Sequence, residues 1–356
     1  MHTVSPDSLE AFAQVAIEGC GAPSGIAETV ARSLVSADLV GHSSHGVVRL
    51  PYYAAQIDDG ALDPSAMPEL EEAGPFHRID GGGAFGQVTG RRAVELVTET
   101  AAERGVGIVG VHDSGHLGRI GEWADIVTDE GYLFASWVNL HGGAQRIAPH
   151  GTADRRLGTN PITFGVPSFG ALPFDPIYDA ATSQIAHGKI IERDGSGERL
   201  PEDWTITETG EPVEYAADFE NEVGALLPLG GIETGHKGFG LATMTELFAA
   251  IIGGGAVATE AEQNWAGNGA AFVAIDPTAF TTREAVAERV SGLARFLRSA
   301  EPIEEGGEVL LPGEPEYRTA RDRRESGIPL EDAVVENLRE IAEDLGVRAS
   351  LPEPLR

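Results

Sequence analysis

The sequence predicts a mixed α/β fold. Short segments rich in branched and aromatic residues, such as VGIVGV and LFASWVN, alternate with longer segments whose apolar residues recur at helical spacing. The chain has 356 residues, of which 42% are hydrophobic, and it contains no low-complexity tract. Because that length is enough for two or three packed layers with more than one core, we expect a globular protein with several lobes.

Two helices are predicted near the N-terminus. Ser5, Pro6 and Asp7 supply a capping serine, a proline at the first helical position and an acid in the first turn. A second helix is predicted from Ser24 to Gly41, where apolar residues again follow helical spacing. The histidine-rich stretch that follows therefore lies just beyond the end of a helix.

The alternation of strands and helices continues through the centre of the chain. The predicted strands include FHRID, VGIVGV and LFASWVN, and ITFGVPS, PIYDAAT and AAFVAID extend the pattern. The predicted helices are AVELVTETAAERG, IGEWADIVTDEG and GHKGFGLATMTELFAAIIGG. Two charged helices, over residues 283–299 and 330–345, close the chain, and we expect the turn-rich stretch LLPGEPEYRTARDRRESGIP to join them.

The run GGGAFG at residues 81–86 satisfies the G-x-G-x-x-G pattern of a dinucleotide-binding loop and precedes a helix. The preceding FHRID segment carries His77, Arg78 and Asp80, which suit an edge or solvent-facing strand and not a buried one. The acidic residue expected about 20 positions later is also misplaced, since Asp113 lies well beyond that interval. We therefore interpret the run as a plain glycine turn.

Composition excludes several classes of partner. The chain has 56 acidic and 25 basic residues, and its formal net charge of -31 would repel nucleic acid and anionic membranes. We see neither an export signal nor the roughly 18 uncharged apolar residues that a membrane span needs. The single cysteine, Cys20, excludes an internal disulfide, so a reducing cytoplasm is the expected compartment.

The basic residues are unevenly chosen. Lysine occurs only at Lys189 and Lys237, and the other 23 basic residues are arginine. Acidic excess with few lysines is typical of cytosolic proteins from salt-loving microbes, in which molar salt removes the self-repulsion. The alternative is an ordinary acidic protein encoded by a GC-rich genome. We favour the salt-adapted interpretation.

The stretch GHSSHGVVRL at residues 41–50 is the first candidate site. His42 and His45 are three residues apart, but this spacing suits a shared metal only on a continuous helix, and no neighbouring carboxylate completes a ligand set. We interpret His42 as an ordinary loop residue. His45 is followed by Arg49, so a proton donor and a bidentate anion clamp could face one small molecule, which is what a 2-oxo acid requires.

Six segments in register carry a family resemblance. They are ADLVGHSSHGVVRLPYY, GHLGRIGEWADIV, RLGTNPITFGVP, YDAATSQIAHGKI, LPLGGIETGHKGFGLATMTEL and LPGEPEYRTARDRRESGIPL, which together run from about residue 37 to about residue 330. In this order they resemble the type 2 malate/L-lactate dehydrogenase family, a group that also includes sulfolactate, ureidoglycolate and diketogulonate oxidoreductases and an imino-acid reductase.

The resemblance implies a non-Rossmann fold that binds NAD or NADP on a large mixed, largely antiparallel sheet, with helical segments from both chain ends. It also implies a homodimer with active sites near the subunit interface. We accordingly expect residues 1–72 and 280–356 to form discontinuous helical segments for dimerisation and substrate contact. Residues 73–279 are expected to form the sheet domain that binds the cofactor.

The resemblance also implies roles for individual residues. His45 matches the proton donor to the substrate carbonyl, assisted by Ser44 and by Asp179 of the D-x-A-T-S motif. A carboxylate can orient an imidazole and stabilise its charged form, so this set is chemically coherent. His116 matches a second active-site histidine, although Gly115 replaces the usual asparagine before it. We prefer His45 for the proton step, with His116 as the alternative.

Four segments match the nucleotide contacts of the family. Small hydroxyls and glycines let backbone amides approach a pyrophosphate, and a lysine adds positive charge. Because lysine is otherwise so rare in this chain, Lys237 at the entry to an apolar helix supports the match. The matching residues are Thr159, Asn160, Pro161, Thr182, Ser183, Lys237, Gly238, Gly313 and Glu314.

The predicted function is hydride transfer between NAD(P)(H) and a small 2-hydroxy or 2-oxo acid, most simply malate/oxaloacetate or L-lactate/pyruvate, with Arg49 holding the carboxylate. Arg119, or Arg146 in a later loop, is a candidate for a second anionic group, which would favour malate or sulfolactate. The alternatives are a metal-dependent hydrolase or lyase and a non-catalytic ligand-binding relative. The hydrolase would use the histidines at positions 42, 45, 112, 116, 141 and 150.

Dialysis from molar to low salt should reduce both activity and compactness. At molar ionic strength the screening length shrinks to about 3 Å, so removing the salt exposes the full self-repulsion of the acidic surface. Turnover and hydrodynamic radius, measured across a salt series, check this expectation. A protein unchanged by the dialysis would refute the salt-adapted interpretation.

Overall fold

The computed structural model describes residues 2–194, 197–259, 267–304 and 306–356. The strands are β1 (His2–Val4), β2 (Glu69–Ala73), β3 (Phe76–Asp80), β4 (Val106–Ser114), β5 (Leu133–Asn139), β6 (Ile162–Gly165), β7 (Ile177–Ala180), β8 (Thr205–Ile206), β9 (Ala225–Leu226), β10 (Asn268–Ile275) and β11 (Ile328–Leu330). The helices are α1 (Pro6–Gly19), α2 (Ser24–Leu39), α3 (Leu50–Asp58), α4 (Gly86–Arg104), α5 (Ile120–Asp129), α6 (His187–Asp194), α7 (Ala216–Glu220), α8 (Gly231–Thr234), α9 (His236–Gly253), α10 (Arg283–Arg298), α11 (Glu314–Ser326) and α12 (Asp332–Asp344).

A seven-stranded sheet forms the centre of the molecule, in the order β2-β3-β4-β10-β5-β6-β7. Five of its six strand pairs are antiparallel, and only β3 and β4 run parallel. The large mixed, largely antiparallel sheet expected from the resemblance is therefore confirmed. Among the described helices, none combines the length and apolar character that crossing a membrane requires.

Helices α4 and α9 cover opposite faces of β4. A Cβ on Gly107 would lie 2.1 Å from the carbonyl oxygen of Val97 in α4, whereas one on Gly110 would lie 2.2 Å from that of Ile252 in α9. Residues 107 and 110 differ in parity, so they point to opposite faces of the strand. The two glycines let a helix approach the central strand closely from either side.

The GGGAFG run is a turn between β3 and α4. A Cβ on Gly81 would lie 2.6 Å from Cα of Ser114, and one on Gly86 would lie 2.1 Å from the carbonyl oxygen of His116. The turn therefore packs against the backbone that leaves β4, which agrees with its interpretation as a structural turn. FHRID was expected to be an edge or solvent-facing strand. It is not the edge strand, because β2 forms the edge and β3 lies second, but only Ile79 of β3 is buried, which agrees with the solvent-facing alternative.

The largest departure from the predicted elements is α11, which occupies much of the stretch expected to be a loop. Gly313 precedes it with a left-handed φ of 82°, Pro315 lies in its first turn, and Gly327 ends it. Acids in the first turn and arginines in the last turn match the helix dipole. These termini, and not an apolar stripe, define the helix, so hydrophobic periodicity misses it.

Three clusters of buried apolar residues hold the fold together. The first joins α1, α2 and α3 to β11 and α12, with Phe12 and Val335 among its members. The second lies between the sheet and helices α4 and α5, and the third lies within residues 147–226. The first cluster also takes in Phe85 and Val88, so it reaches the start of α4. The division into residues 1–72 with 280–356 and residues 73–279 stays a prediction.

Candidate active site

Two short 3₁₀ turns after α2, Ser43–His45 and Val47–Arg49, present the predicted catalytic residues. The buried carboxylate of Asp38 lies beneath them and accepts a hydrogen bond of 2.8 Å from the backbone N–H of Val47. A Cβ on Gly46 would lie 2.0 Å from Oδ1 of Asp38, so only glycine fits between the two turns. Burial raises the pKa of Asp38 to about 7.

The structure brings His45 and His116 together. Nδ1 of His45 lies 3.2 Å from Nε2 of His116, and the rings are within 11° of parallel with centroids 5.1 Å apart. Burial lowers the pKa of His45 to about 3, assisted by the charge of Arg49 and then by His42 and Arg119. Burial, followed by Arg49, also holds the pKa of His116 well below its ordinary value. Both imidazoles are therefore neutral at neutral pH.

The His116 ring has a second partner that sequence reasoning did not identify. Nδ1 of His116 lies 3.0 Å from the hydroxyl of Tyr53 in α3. The side-chain amide of Gln87, in the first turn of α4, donates a hydrogen bond of 2.6 Å to that same hydroxyl. A continuous hydrogen-bonded chain therefore runs from the interior to His45.

Arg49 supplies positive charge beside the histidine pair, and Arg146 lies near Arg49. Nε of Arg49 donates a hydrogen bond of 2.6 Å to the carbonyl oxygen of Ser44, which fixes the guanidinium near His45. Within the described residues neither Arg49 nor Arg146 forms an ion pair with a carboxylate. The pKa of Arg146 is lowered, chiefly by burial. The charge of Glu220 opposes this shift, whereas the charge of Arg49 adds to it. The two arginines are therefore close enough to repel each other.

Asp179 is placed differently from the expectation. Its carboxylate accepts hydrogen bonds from the backbone N–H of Gly121 at 2.7 Å and from the hydroxyl of Thr163 at 2.9 Å. In the part of the chain that the structure describes, it makes no hydrogen bond to His45. His116 occupies Nδ1 of His45 instead, so the orienting partner of the imidazole is a second imidazole.

Arg119 is also engaged elsewhere. It is buried, and its guanidinium pairs with the carboxylate of Asp125 at 2.5 Å, which contributes to a raised pKa. With His42, Asp179 and Gly313, it lines a cleft of about 390 Å³. His42 itself contacts Glu316 of α11 at 3.2 Å, so the carboxylate that the local sequence lacks comes from a distant helix.

Three of the four predicted cofactor segments converge. The backbone N–H of Thr182 donates to the carbonyl of Thr159 at 2.9 Å, and that of Leu229 donates to the carbonyl of Thr182 at 2.9 Å. A Cβ on Gly238 would lie 2.4 Å from the backbone nitrogen of Leu229. The adjoining residues Asn160, Pro161, Ser183 and Lys237 thus belong to one group of loops, with Lys237 exposed in the first turn of α9.

Asn160 is locked in place by a buried acid that the sequence did not single out. Its amide donates to the carboxylate of Glu246 at 2.7 Å, and Asn139 donates to the other oxygen of that carboxylate at 3.0 Å. Oδ1 of Asn160 is buried without a hydrogen-bond partner among the described residues. An orphaned acceptor of this kind fits a ligand that brings a donor.

The fourth predicted cofactor segment lies apart from this group. Gly313 packs against the backbone of Asp175 and Ile177 at the start of β7, whereas Thr182 follows the end of that strand. The Glu314 carboxylate is occupied by Arg298 at 2.7 Å and Arg318 at 2.7 Å. Glu314 therefore fastens the start of α11, and its predicted contact with the nucleotide is not supported by this arrangement.

The histidines do not form one metal cluster. His45 and His116 pair with each other, while Nε2 of His141 lies 3.0 Å from Asp113. The ring of His150 lies 5.7 Å from that of His236. His112 joins Glu71 and Asp80 in a compact group on β2, β3 and β4, the single such group of possible ligands among the described residues.

A neutral histidine pair beside an arginine that has no carboxylate partner among the described residues could exchange a proton with a small anionic substrate. The sequence model of the malate/L-lactate dehydrogenase family matches residues 4–339. The chain belongs to this family, which confirms the expected class of hydroxy-acid dehydrogenases.

Relatives and solved structures agree with this assignment. The chain is 34% identical to the malate dehydrogenase of Pyrococcus abyssi over 97% of its own length and 95% of that protein. It is 31% identical to the malate/(S)-sulfolactate dehydrogenase of Methanothermus fervidus over 97% of this chain and 98% of that protein. The crystal structure of malate dehydrogenase from Entamoeba histolytica superposes with a TM-score of 0.91 at 25% identity, over 97% of this chain and 98% of that one.

Replacing Asp38 by asparagine should flatten the dependence of stability on pH. The folded-state pKa of about 7 lies above the ordinary unfolded value of about 3.9, so the folded protein holds a proton that the unfolded chain has lost. This group therefore makes the wild type lose stability as pH rises from about 4 to about 7, and asparagine removes that loss. Melting temperatures at constant high salt between pH 5 and pH 8 measure the difference.

The matched control is Asp63→Asn. The Asp63 carboxylate is fully exposed, and its hydrogen bonds to Ser65 lower its pKa. Its titration therefore affects stability only below about pH 4, outside the range that is measured. If the melting temperatures of the wild type and Asp38→Asn change with pH by the same amount between pH 5 and pH 8, the raised pKa of Asp38 is contradicted.

Proposed function

We propose that the protein transfers a hydride between a nicotinamide coenzyme, NAD(H) or NADP(H), and C2 of a small 2-hydroxy or 2-oxo acid. The observation that carries this proposal is the neutral His45–His116 pair beside Arg49, with Arg146 near Arg49 and neither arginine paired with a carboxylate among the described residues. The pair can exchange a proton with the substrate oxygen, and the arginines can hold its negative charge.

The proposed substrate carries two anionic groups, as in malate/oxaloacetate or sulfolactate, with L-lactate/pyruvate as the weaker candidate. Arg49 would hold the carboxylate next to the reacting carbon, because its guanidinium is fixed by Ser44 near His45. Arg146 would hold the second anion, since it is half-buried and close to Arg49. Arg119 is the less favoured receptor because Asp125 already neutralises it. Relatives named malate and malate/(S)-sulfolactate dehydrogenases support this choice.

The converging loops fit a nicotinamide coenzyme, which when bound would supply or take up the hydride. Asn160 offers an orphaned acceptor, and Gly238 leaves the backbone bare at the entry to α9. Lys237 would place its charge beside the first turn of that helix, where phosphate groups are stabilised. Thr159, Thr182 and Ser183 would contribute the surrounding hydroxyls. This set, without Glu314, is the proposed coenzyme site.

A homodimer is proposed as the working form. Helix α9 carries large apolar residues on the side that faces away from the sheet as well as on the packed side, and such a surface is normally covered. Its outer side exposes Met244, Leu247, Phe248 and Ile251, the last of them 69% accessible. A second copy of the chain would bury this surface. We also propose that the protein is adapted to high salt, as its charge and lysine usage suggest.

Absorbance of NADH and NADPH, followed at molar salt with oxaloacetate and pyruvate, tests the reaction and the second anion site together. We expect oxaloacetate to be preferred, and Arg146→Ala to lower kcat/KM for oxaloacetate about 10²-fold while changing pyruvate only a few-fold. Arg92→Ala, which removes an exposed arginine on α4, is the control and should leave the ratio unchanged.

An altered ratio in Arg119→Ala, with an unchanged one in Arg146→Ala, would move the second anion site to Arg119. Failure to oxidise either coenzyme with any 2-oxo acid would overturn the proposed reaction. Hydrolytic activity that a chelator abolishes would instead support the metal-dependent alternative.

His45→Ala should lower turnover by about 10²-fold or more while leaving coenzyme affinity intact, because the imidazole acts on the substrate oxygen. Steady-state kinetics and a coenzyme fluorescence titration measure the two effects separately. His2→Ala, which removes a histidine in β1, serves as the control. A collapse of coenzyme affinity in His45→Ala would show that this residue has a structural role.

A further inference from the structure

The hydrogen-bonded chain behind His45 has a definite direction. The amide Nε2 of Gln87 can only donate, so its contact of 2.6 Å occupies a lone pair of the Tyr53 hydroxyl. We assign the hydroxyl hydrogen to Nδ1 of His116, 3.0 Å away, because the hydroxyl has no other acceptor among the described residues. Nδ1 of His116 is therefore an acceptor, and the neutral ring carries its hydrogen on Nε2.

The same logic continues to the substrate side. Nε2–H of His116 donates to Nδ1 of His45 across 3.2 Å, which leaves the hydrogen of the neutral His45 ring on Nε2. Within the described residues Nε2 of His45 has no hydrogen-bond partner. The chain thus ends in one N–H group at the site where the substrate oxygen would lie.

We propose that Tyr53 is the internal proton source for the reduction, acting through His116 and His45. This inference rests on the proposed function, because it assigns the origin of the proton that the 2-oxo acid receives. Tyr53 does not touch the substrate and is a positioning and relay residue, whereas His45 is the group in contact with it.

The balance of protons explains why a relay is needed. When hydride adds to C2, the carbonyl π pair moves to the oxygen, which takes the hydrogen from Nε2 of His45. Nδ1 of His45 then takes the proton from Nε2 of His116, and Nδ1 of His116 takes the proton of the Tyr53 hydroxyl. The charge is left on a phenolate and not on an imidazolate, which is a far stronger base.

Burial disfavours a negative charge at the interior end of the chain, and a hydrogen-bond donor and a nearby positive charge offset part of that cost. Tyr53 is 1% exposed and Gln87 is fully buried, so no described path leads from them to solvent. Burial raises the pKa of Tyr53 to about 12, whereas the hydrogen bond from Gln87 and the charge of Arg49 lower it. After product leaves, a proton from solvent enters at Nε2 of His45, the proton on Nδ1 of His45 returns to Nε2 of His116, and the proton on Nδ1 of His116 returns to the Tyr53 oxygen. Oxidation of the alcohol follows the same steps in reverse.

Charged groups on every neighbouring element act on this chain. Arg49, His42 and Arg119 act on His45. Glu122 of α5 and Tyr52 of α3 oppose ionisation of Tyr53. Because the ordinary state of the chain is neutral, reduction requires no protonated histidine. The histidine pair itself should accordingly impose no pH dependence on reduction between about pH 6 and pH 9, whereas Asp38, beneath the turn that carries His45, titrates within that range with a pKa of about 7.

Tyr53→Phe tests the relay, since it removes the hydroxyl and keeps the ring that packs edge-on against Phe85. We expect kcat for reduction to fall about 10²-fold with little change in KM, and to decline as pH rises, because the variant must use a protonated histidine. The solvent deuterium isotope effect should depend non-linearly on deuterium content in the wild type and linearly in the variant. Tyr132→Phe, a change in a half-buried tyrosine before β5, is the control.

A second readout does not depend on turnover. Nitrogen-15 NMR of the histidine rings should show both His45 and His116 with hydrogen on Nε2 in the wild type, and a mixture of tautomers in Tyr53→Phe and in Gln87→Met. The relay would be overturned if Tyr53→Phe had the same kcat as the wild type and the same curved dependence of the isotope effect on deuterium content. It would also be overturned if the histidine tautomers did not change in the variants. If the wild type reduces no 2-oxo acid, the proposed function fails, while the NMR result still decides the direction of the chain.

Discussion

The contact between Nδ1 of His45 and Nε2 of His116 is the interaction on which the site depends. His45 follows the N-terminal helices, whereas His116 follows β4 of the central sheet, so the 3.2 Å distance is set by how these parts of the chain pack. Each histidine is positioned by a glycine with no room for a side chain. Gly46 rests on the carboxylate of Asp38, and Gly86 rests on the carbonyl of His116. Close backbone approach at these two glycines therefore helps to fix the positions of the two histidine rings.

Electrostatics imposes a second constraint. A chain with a net charge of -31 repels a doubly charged anion at long range, yet Arg49 and Arg146 meet no carboxylate within ion-pair distance among the described residues. At molar salt, interactions between exposed charges are screened within about 3 Å, whereas partly buried charges are screened much less. High salt would thus suppress the repulsion of the surface and preserve the attraction of the site. The acidic composition and an anionic substrate are compatible for that reason.

Local sequence patterns predicted the helices and strands that are marked by capping residues or by apolar runs. Ser5 caps α1 as expected, with its side chain accepting a hydrogen bond from Ser8, and the strands around β4 and β5 follow from their apolar runs. The helix α11 was missed because its apolar content is too low to show helical periodicity. Its capping residues carried the signal, since a glycine, a proline and first-turn acids precede arginines and a final glycine.

The residues of the candidate site also divide into those that sequence spacing could indicate and those that it could not. His45 and Arg49 lie four residues apart, and Tyr53 continues that spacing, so it could have been placed on the same side of the chain. Gln87 gave no signal, because its partner lies 34 positions away and its role exists only after α3 and α4 have packed. Asp179 was expected beside His45, but the pairing of β6 with β7 directs its carboxylate to Thr163 and Gly121. Local patterns could not predict these packing-dependent contacts, whereas the family resemblance did place His45 and His116 in one active site.

The hydrogen-bond pattern also decides between a proton-transfer pair and a metal site. A histidine binds a metal through an unprotonated ring nitrogen, and a catalytic metal usually requires three protein ligands. Nδ1 of His116 is occupied by Tyr53, and the remaining nitrogen of that ring is occupied by His45. Of the four ring nitrogens of this pair, only Nε2 of His45 lacks a hydrogen-bond partner among the described residues, and one nitrogen is insufficient to hold a metal. One outward N–H, backed by a continuous chain of donors and acceptors, is instead what a carbonyl oxygen needs as it becomes an alcohol.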